Sequence, residues 1–232
     1  DNLKKYDITK LIVLGGNGSF NALKIFSQEF DISVIGIPAT IDNDIYESSY
    51  TIGVDTALNV IINALDDIRN TSSSSKRAFV VETMGRDFGY LAAVSAITSG
   101  AEICLIPEAK INYESLEKKL KKEIKEGRDY ILALVSEGTK QTDELILWIQ
   151  TNLKMQTRKI VLGHLQRGGN PSVFERRMAN EFIIYSIDKL IKEKTKSAII
   201  YKNCKFKFID LETISNKKQV LNKKIIKQLE NM

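Results

Sequence analysis

The sequence predicts an α/β fold in which mainly parallel strands are covered by helices. Three observations carry this reading. Short apolar runs recur along the 232 residues and are continuous rather than alternating, as strands buried on both faces are. Segments with helical spacing of apolar residues lie between them. Several runs are followed at once by a glycine-rich or polar turn, in the order strand, turn, helix, which is the rhythm of βαβ units.

The apolar runs are residues 11–14, 34–37, 79–81, 103–106, 131–135, 160–162 and 198–201. Helical spacing is set by Ala22, Leu23, Ile25 and Phe26, and again by Ala57, Leu58, Val60, Ile61 and Leu65. A third such segment is marked by Leu145, Ile146, Trp148, Ile149 and Leu153, with Thr142 and Asp143 near its start as candidate caps. Residues 1–6 read as a scrap of helix. The serine cluster at 70–76 predicts a loop or a junction. No internal repeat is visible.

Composition excludes several classes. The hydrophobic fraction is 43% and the charged fraction 27%, close to the globular average. No run of 18 apolar residues exists, so nothing is expected to span a membrane. No secretory signal opens the chain. Cys104 and Cys204 stand apart without a CxxC, which argues against a zinc site and a disulfide framework, and the single histidine, His164, excludes a histidine cluster. A reducing cytoplasm is the expected location. The net charge is +5, and of 34 basic residues only 8 are arginine. The lysines fall in mixed-charge or helix-surface stretches, without the Arg–aromatic interleaving that nucleic acid would require.

Four turns carry the chemistry. Gly15-Gly16-Asn17-Gly18-Ser19 follows the first strand and opens a helix. Glycines there let backbone N–H groups approach an anion. It is neither GxGxxG nor a Walker loop. Pro38-Ala39-Thr40-Ile41-Asp42-Asn43-Asp44 follows the second strand, where two carboxylates and a threonine suit metal binding or proton abstraction. Thr83-Met84-Gly85-Arg86-Asp87 and Gly163-His164-Leu165-Gln166-Arg167-Gly168-Gly169 each follow a strand and place an arginine beside glycine. Arginine matches a phosphate with paired donors better than lysine does. Each turn alone can equally be a tight connection with solvated charges. Together, all at strand ends, they indicate a phosphorylated small molecule, and the carboxylate pair favours phosphoryl transfer.

At these residues the sequence resembles the ATP-dependent 6-phosphofructokinase family. GGNGS, PATIDNDI, SYTIG, TSSSSKR, VVETMGR and VLGHLQRGG occur in family order, and the resemblance runs from residue 1 to about 190. Gly18 and Ala39 fit the ATP-using branch; the pyrophosphate-using branch resembles GGDDS with a lysine before the threonine. The resemblance implies two Rossmann-like three-layer α/β domains with mainly parallel sheets, the first N-terminally truncated. Residues 1–53 and 166–216 would form a partial ATP-binding domain, and 54–165 with 217–232 a sugar-phosphate domain that includes a C-terminal helix.

The resemblance also implies roles. Asp42 matches the catalytic base for the C1 hydroxyl of fructose 6-phosphate, and Thr40 and Arg86 match groups that stabilise the transferring phosphoryl. Gly15, Gly16, Asn17, Gly18 and Ser19 match the ATP loop. Asp44, Met84, Gly85, Glu137, His164 and Arg167 match substrate contacts. Arg77 and Arg158 match arginines that reach a neighbouring subunit's site, implying a homotetramer with shared active sites. Arg69, Glu102 and Arg128 fall where bacterial enzymes bind effectors, although Glu126 stands where a lysine is expected. Mg²⁺ is the implied cofactor. Asn17 replaces the aspartate that serves it, and a neutral amide is a poorer ligand for a hard cation, so weak Mg²⁺ binding is expected.

The family chain begins earlier. At about 30 residues per βα unit, roughly 80–90 residues are without counterpart before Asp1, which is not an initiator Met. The chain therefore reads as a fragment, as part of a split enzyme whose missing strands a separate chain supplies, or as a relic. The alternatives to a kinase of this family are another kinase with a GGDG-type loop and a non-catalytic sugar-phosphate-binding subunit.

Overall fold

The computed structural model describes residues 2–72 and 76–232. The heart of the serine cluster, 73–75, lies outside the described residues, but the residues before it continue a helix rather than a loop. In chain order the first elements are α1 (Asn2–Lys5), β1 (Lys10–Gly15), α2 (Asn17–Glu29), β2 (Ser33–Pro38), α3 (Val54–Ser72), β3 (Arg77–Thr83), α4 (Tyr90–Ser99) and β4 (Ile103–Leu105). There follow α5 (Tyr113–Lys125), β5 (Tyr130–Ser136), α6 (Thr142–Trp148), β6 (Gln156–Val161), α7 (Val173–Lys192), β7 (Lys196–Lys202), β8 (Lys205–Asp210), α8 (Leu211–Asn216) and α9 (Lys223–Glu230). The chain forms two compact units. Unit 1 comprises Asp1–Asp55 and Asn170–Val220; unit 2 comprises Thr56–Gly169 and Leu221–Met232.

Unit 1 holds a four-stranded sheet in the order β1-β2-β7-β8. β1, β2 and β7 are parallel, and β8 returns antiparallel to β7. β2 is buried at every position because it lies inside the sheet between β1 and β7. Gly36 leaves room there for the Phe20 ring of α2, which a Cβ would meet at 2.8 Å. Phe20, Leu23, Val34, Ile45, Ala198, Ile200 and Leu211 belong to the core. The β7–β8 hairpin turns through Asn203 and Cys204, both with left-handed backbone, as a two-residue turn between twisted strands requires. β8 was absent from the apolar runs for a physical reason. Its Lys-Phe-Lys-Phe pattern alternates with lysines facing out, which is how an edge strand protects itself.

Two features of unit 1 stand out. α7 is capped by Ser172, whose hydroxyl accepts from the Glu175 N–H at 3.1 Å, and buries Glu175, Met178, Phe182, Ser186 and Leu190. Its opposite face presents Val173, Ile184, Ile187 and Ile191 to solvent, so the helix is apolar on two sides. β1 has the composition of an interior strand, yet it sits at the sheet edge and Leu14 is 54% exposed.

Unit 2 is built on an all-parallel sheet in the order β4-β5-β3-β6. Ala78, Val80, Ile103, Ile131, Ala133 and Val135 line its core, against Leu120 of α5 and Leu145 of α6. Asn112 caps α5 by accepting from Ser115 N–H at 3.0 Å. Thr142 and Asp143 do not cap α6. Gln141 occupies that position and makes no side-chain cap, so the two expected residues fall in the first turn. Past Trp148 the helix loosens into a π-helical turn, Ile149–Leu153. The C-terminal helix is shorter than the expected 217–232. It begins after Asn222, which accepts from the Lys224 N–H. Gln219 is held instead in unit 1, donating to the Ser48 carbonyl and accepting from Glu47 N–H.

Candidate active site

In unit 1 the candidate groups stand on the two loops that leave β1 and β2 side by side. The strands pair in register up to Gly15 with Pro38, and Ala39 N–H then donates to the Gly15 carbonyl at 2.9 Å. The glycine loop has little choice of residue. A Cβ on Gly15 would collide with the Ser19 side chain, and Gly16 lies against Thr40. At Gly18, by contrast, a Cβ would meet nothing within 4 Å, so that glycine faces open space rather than a packing neighbour. Open space beside the first turn of α2, with its outward N–H groups, suits an anionic ligand.

The second loop is tightly tied. Thr51 Oγ1 donates to the Thr40 carbonyl at 2.6 Å, and Thr40 Oγ1 accepts from the Asp42 N–H at 3.3 Å. Asn43 is left-handed (φ 55°) and donates from Nδ2 to the Ser49 carbonyl. Ile52 N–H returns to the Pro38 carbonyl. The result is a buried Asp42, 4% exposed, beside a half-buried Asp44. Behind the loop, Glu175 of α7 accepts from the Tyr50 hydroxyl at 2.8 Å and from the Gly53 N–H. Neither Tyr50 nor Glu175 was among the expected residues. The Ser172-x-x-Glu175 spacing is a capping-box signature that could have drawn attention to the glutamate.

The residues of unit 1 do not fit a resident Mg²⁺ at Asn17. Its Nδ2 donates to Asp44 Oδ2 at 2.8 Å and to the Asp44 carbonyl at 3.3 Å, so an N–H stands where a cation would need an oxygen. Among the described residues no group of three or more His, Cys, Asp or Glu could hold a metal.

In unit 2 three loops leave the carboxyl ends of neighbouring strands. Register places Thr83 of β3 beside Ser136 of β5, and Glu82 beside Val161 of β6. Met84, Glu137 and Gly163 therefore emerge together, at the sheet end where open α/β folds bind ligands. Gly85 (φ 125°) and Arg86 (φ 51°) make a sharp reversal, and Arg86 N–H donates to Glu137 Oε1 at 2.9 Å. Gly138 is glycine because a Cβ would strike the Arg86 carbonyl. Gln166 is fully buried. It accepts from Met84 N–H at 3.2 Å and donates to the Gly163 carbonyl at 2.9 Å, fastening the first loop to the third. Sequence reasoning gave Gln166 no role. Arg86, His164 and Arg167 are exposed.

The other expected residues lie elsewhere. Arg77 opens β3 and donates to Gln156 Oε1 at 3.0 Å. With about 3.3 Å of rise per residue, it is roughly 20 Å from Met84 of the same chain. Arg158 is exposed on β6, the edge strand. Glu102 and Arg128 form an ion pair, and Arg128 also meets Glu123 at 2.9 Å. Burial raises the Glu102 carboxyl above its ordinary range, although the Leu132 N–H at 2.7 Å and Arg128 pull the other way. Arg69 donates to the Ser99 carbonyl. Among the described residues no helix is long and apolar enough to cross a membrane.

Comparison with known proteins places the chain in a family. The sequence model of the family described as Phosphofructokinase matches residues 1–190. A protein of Sulfurimonas denitrificans named ATP-dependent 6-phosphofructokinase is 47% identical over 229 residues, covering 98% of this chain and 72% of the relative. A protein of the same name from a Sulfurovum species is 47% identical over 228 residues, covering 97% and 69%. A solved phosphofructokinase of Saccharomyces cerevisiae superposes with a TM-score of 0.86 at 24% identity, over 99% of this chain and 34% of that one, a likeness of fold. The chain thus spans about 70% of the length of its curated relatives and about a third of the yeast chain.

Proposed function

This chain belongs to the phosphofructokinase family, and from that premise we propose that it serves ATP-dependent phosphorylation of fructose 6-phosphate at its C1 hydroxyl, the step that yields fructose 1,6-bisphosphate in glycolysis. The observation that carries the reading is the Thr40–Asp42 turn, a buried carboxylate whose backbone is fixed by the neighbouring threonine, beside a glycine loop with open space at Gly18. Asp42 takes the proton of the C1 hydroxyl as its oxygen attacks the γ-phosphorus of ATP and ADP leaves. Thr40 and Arg86 offset charge on the transferring phosphoryl. This chemistry is chiefly positioning and charge neutralisation, so fixed backbone and arginine are the means it needs.

Gly15, Gly16, Gly18 and Ser19 receive the nucleotide phosphates, and Mg²⁺ enters with them as part of the ATP substrate. Met84, Gly85, Glu137, His164 and Arg167 form the sugar-phosphate cradle in unit 2. Glu137, which already holds the Arg86 backbone, is placed to accept from sugar hydroxyls with its remaining oxygen. Arg77 and Arg158 serve the site of a neighbouring subunit in a homotetramer, a role supported by the distance of Arg77 from its own chain's cradle. Arg69, Glu102 and Arg128 mark the effector region. The proposed location is the cytoplasm. Further strands, from this polypeptide or another, are proposed to pair with the outer edge of β1, whose interior-type residues are half exposed.

The test is an ATP- and Mg²⁺-dependent assay of fructose 6-phosphate phosphorylation by the 232-residue chain, with Asp42→Asn as control. Turnover that falls about 10²–10⁴-fold in the control supports the reading. Activity that appears only when an upstream segment is supplied supports it together with the β1 docking. Fructose 6-phosphate binding without turnover under any supplement would favour a non-catalytic binding subunit instead.

A further inference from the structure

Asn17 stands at the first position of α2 and Asp44 on the loop after β2, so the contact between them joins the glycine loop to the acidic loop. The contact is specific in its polarity. Facing both a carboxylate oxygen and a backbone carbonyl, an amide must present its N–H group, and both of those acceptors belong to Asp44. A divalent cation at this position would impose the reverse, with oxygens converging on it at about 2.0–2.1 Å for Mg²⁺. The amide and the cation are therefore mutually exclusive ways to engage Asp44 Oδ2 and hold the two loops together.

We propose that the Asn17 amide replaces a protein-bound divalent cation, latching the glycine loop to Asp44 so that the nucleotide-free chain needs and binds no metal there. Asn17 is thus a positioning residue. The inference takes from the proposed function only that this loop is the phosphate loop. Its test reads metal binding and folding stability, not turnover, so the two readings can fail separately.

The experiment uses the full chain without nucleotide. Mn²⁺ binding is followed by electron paramagnetic resonance of the free ion, and the thermal midpoint is recorded with Mg²⁺ or with chelator. The wild type should leave Mn²⁺ free and unfold at the same midpoint in both conditions. Asn17→Asp places two carboxylates in hydrogen-bond range of each other. It should unfold earlier in chelator, recover with Mg²⁺, and bind Mn²⁺ at least about tenfold more tightly than the wild type. Adding Asp44→Asn to that variant should abolish the metal response. Mn²⁺ binding by the wild type that Asp44→Asn removes would overturn the proposal, as would an Asn17→Asp protein with an unchanged midpoint and no metal response. Should Asn17→Asp fail to fold, Asn17→Ala decides. A lowered midpoint that metal does not restore supports the latch, and an unchanged midpoint refutes it.

Discussion

Replacing Gln166 by leucine should weaken unit 2 and the sugar-phosphate cradle proposed there together. The side chain is fully buried and makes two hydrogen bonds, one from Met84 N–H and one to the Gly163 carbonyl. Leucine fills similar space but leaves both backbone groups without that partner. Each such loss costs about 1–3 kcal/mol. Both backbone groups belong to half-buried residues, where water recovers part of the loss, and leucine gains some apolar burial. The net cost is therefore about 1–3 kcal/mol, equivalent to a midpoint lowered by roughly 2–12 °C in a chain of this size. Trp148, the sole tryptophan, packs against the unit 2 core and beside Tyr113, so its fluorescence reports this unit in urea. Fructose 6-phosphate affinity, measured by calorimetry, should fall in the same variant, because the loops carrying Arg86 and Arg167 are no longer fastened. Gln166→Glu separates the two bonds. It keeps the acceptor for Met84 but can donate to Gly163 only when protonated. Its stability should be greatest at low pH and fall as pH rises through a carboxyl pKa raised by burial. A leucine variant with wild-type urea midpoint and wild-type affinity would refute the reasoning.

Three further outcomes follow from the same geometry. Tyr50→Phe removes one donor from the buried Glu175 carboxylate and should cost about 1.5–3 kcal/mol, read by calorimetric unfolding; a midpoint equal to the wild type would contradict it. Because burial raises the Glu102 carboxyl in the folded state, the folded chain holds its proton longer than the unfolded chain. That group's contribution to stability is complete below its unfolded value and is lost as pH rises through the folded one. Glu102→Gln should flatten this part of the stability–pH curve, and an unaltered slope would show that Glu102 is not its source. The Cys104 thiol is pushed up to about 12 by burial while Cys204 is exposed in the hairpin turn. A disulfide reagent at mildly alkaline pH should titrate one thiol rapidly and the second only on unfolding, and Cys204→Ser should remove the rapid phase.

The parallel strands were legible because burial on both faces leaves continuous apolar runs, and the turns at their ends because glycine and polar residues punctuate the passage from strand to helix. What escaped the sequence depended on which strands become neighbours. Gln166 is an unremarkable amide until β6 lies beside β3 and brings Gly163 next to Met84. Asn17 read as the loss of a metal ligand; that its amide gains Asp44 follows only from the pairing of β1 with β2. β8 escaped because an edge strand alternates, and the extent of α9 because Gln219 is drawn to Ser48 by hydrogen bonds that span 171 residues. Thr142 and Asp143 have the right chemistry for a cap, but they stand one and two positions too far along.

The discontinuous make-up of unit 1 has a consequence for how the polypeptide is born. β2 is flanked in the finished sheet by β7, and Ser33 reaches its Thr195 partner across 162 residues of chain. A ribosome adding about 5–20 residues per second needs roughly 8–30 s to make that stretch, far longer than collapse of a short chain takes. Between the emergence of β2 and that of β7, the most buried strand of unit 1 has one edge unmatched, while all but the last short segment of unit 2 is synthesised from the chain in between. The nascent chain is thus expected to engage holding chaperones until β7 arrives. Slow translation across 56–169 would prolong that dependence, whereas joining 170–220 directly after residue 55 in a rearranged gene should shorten it.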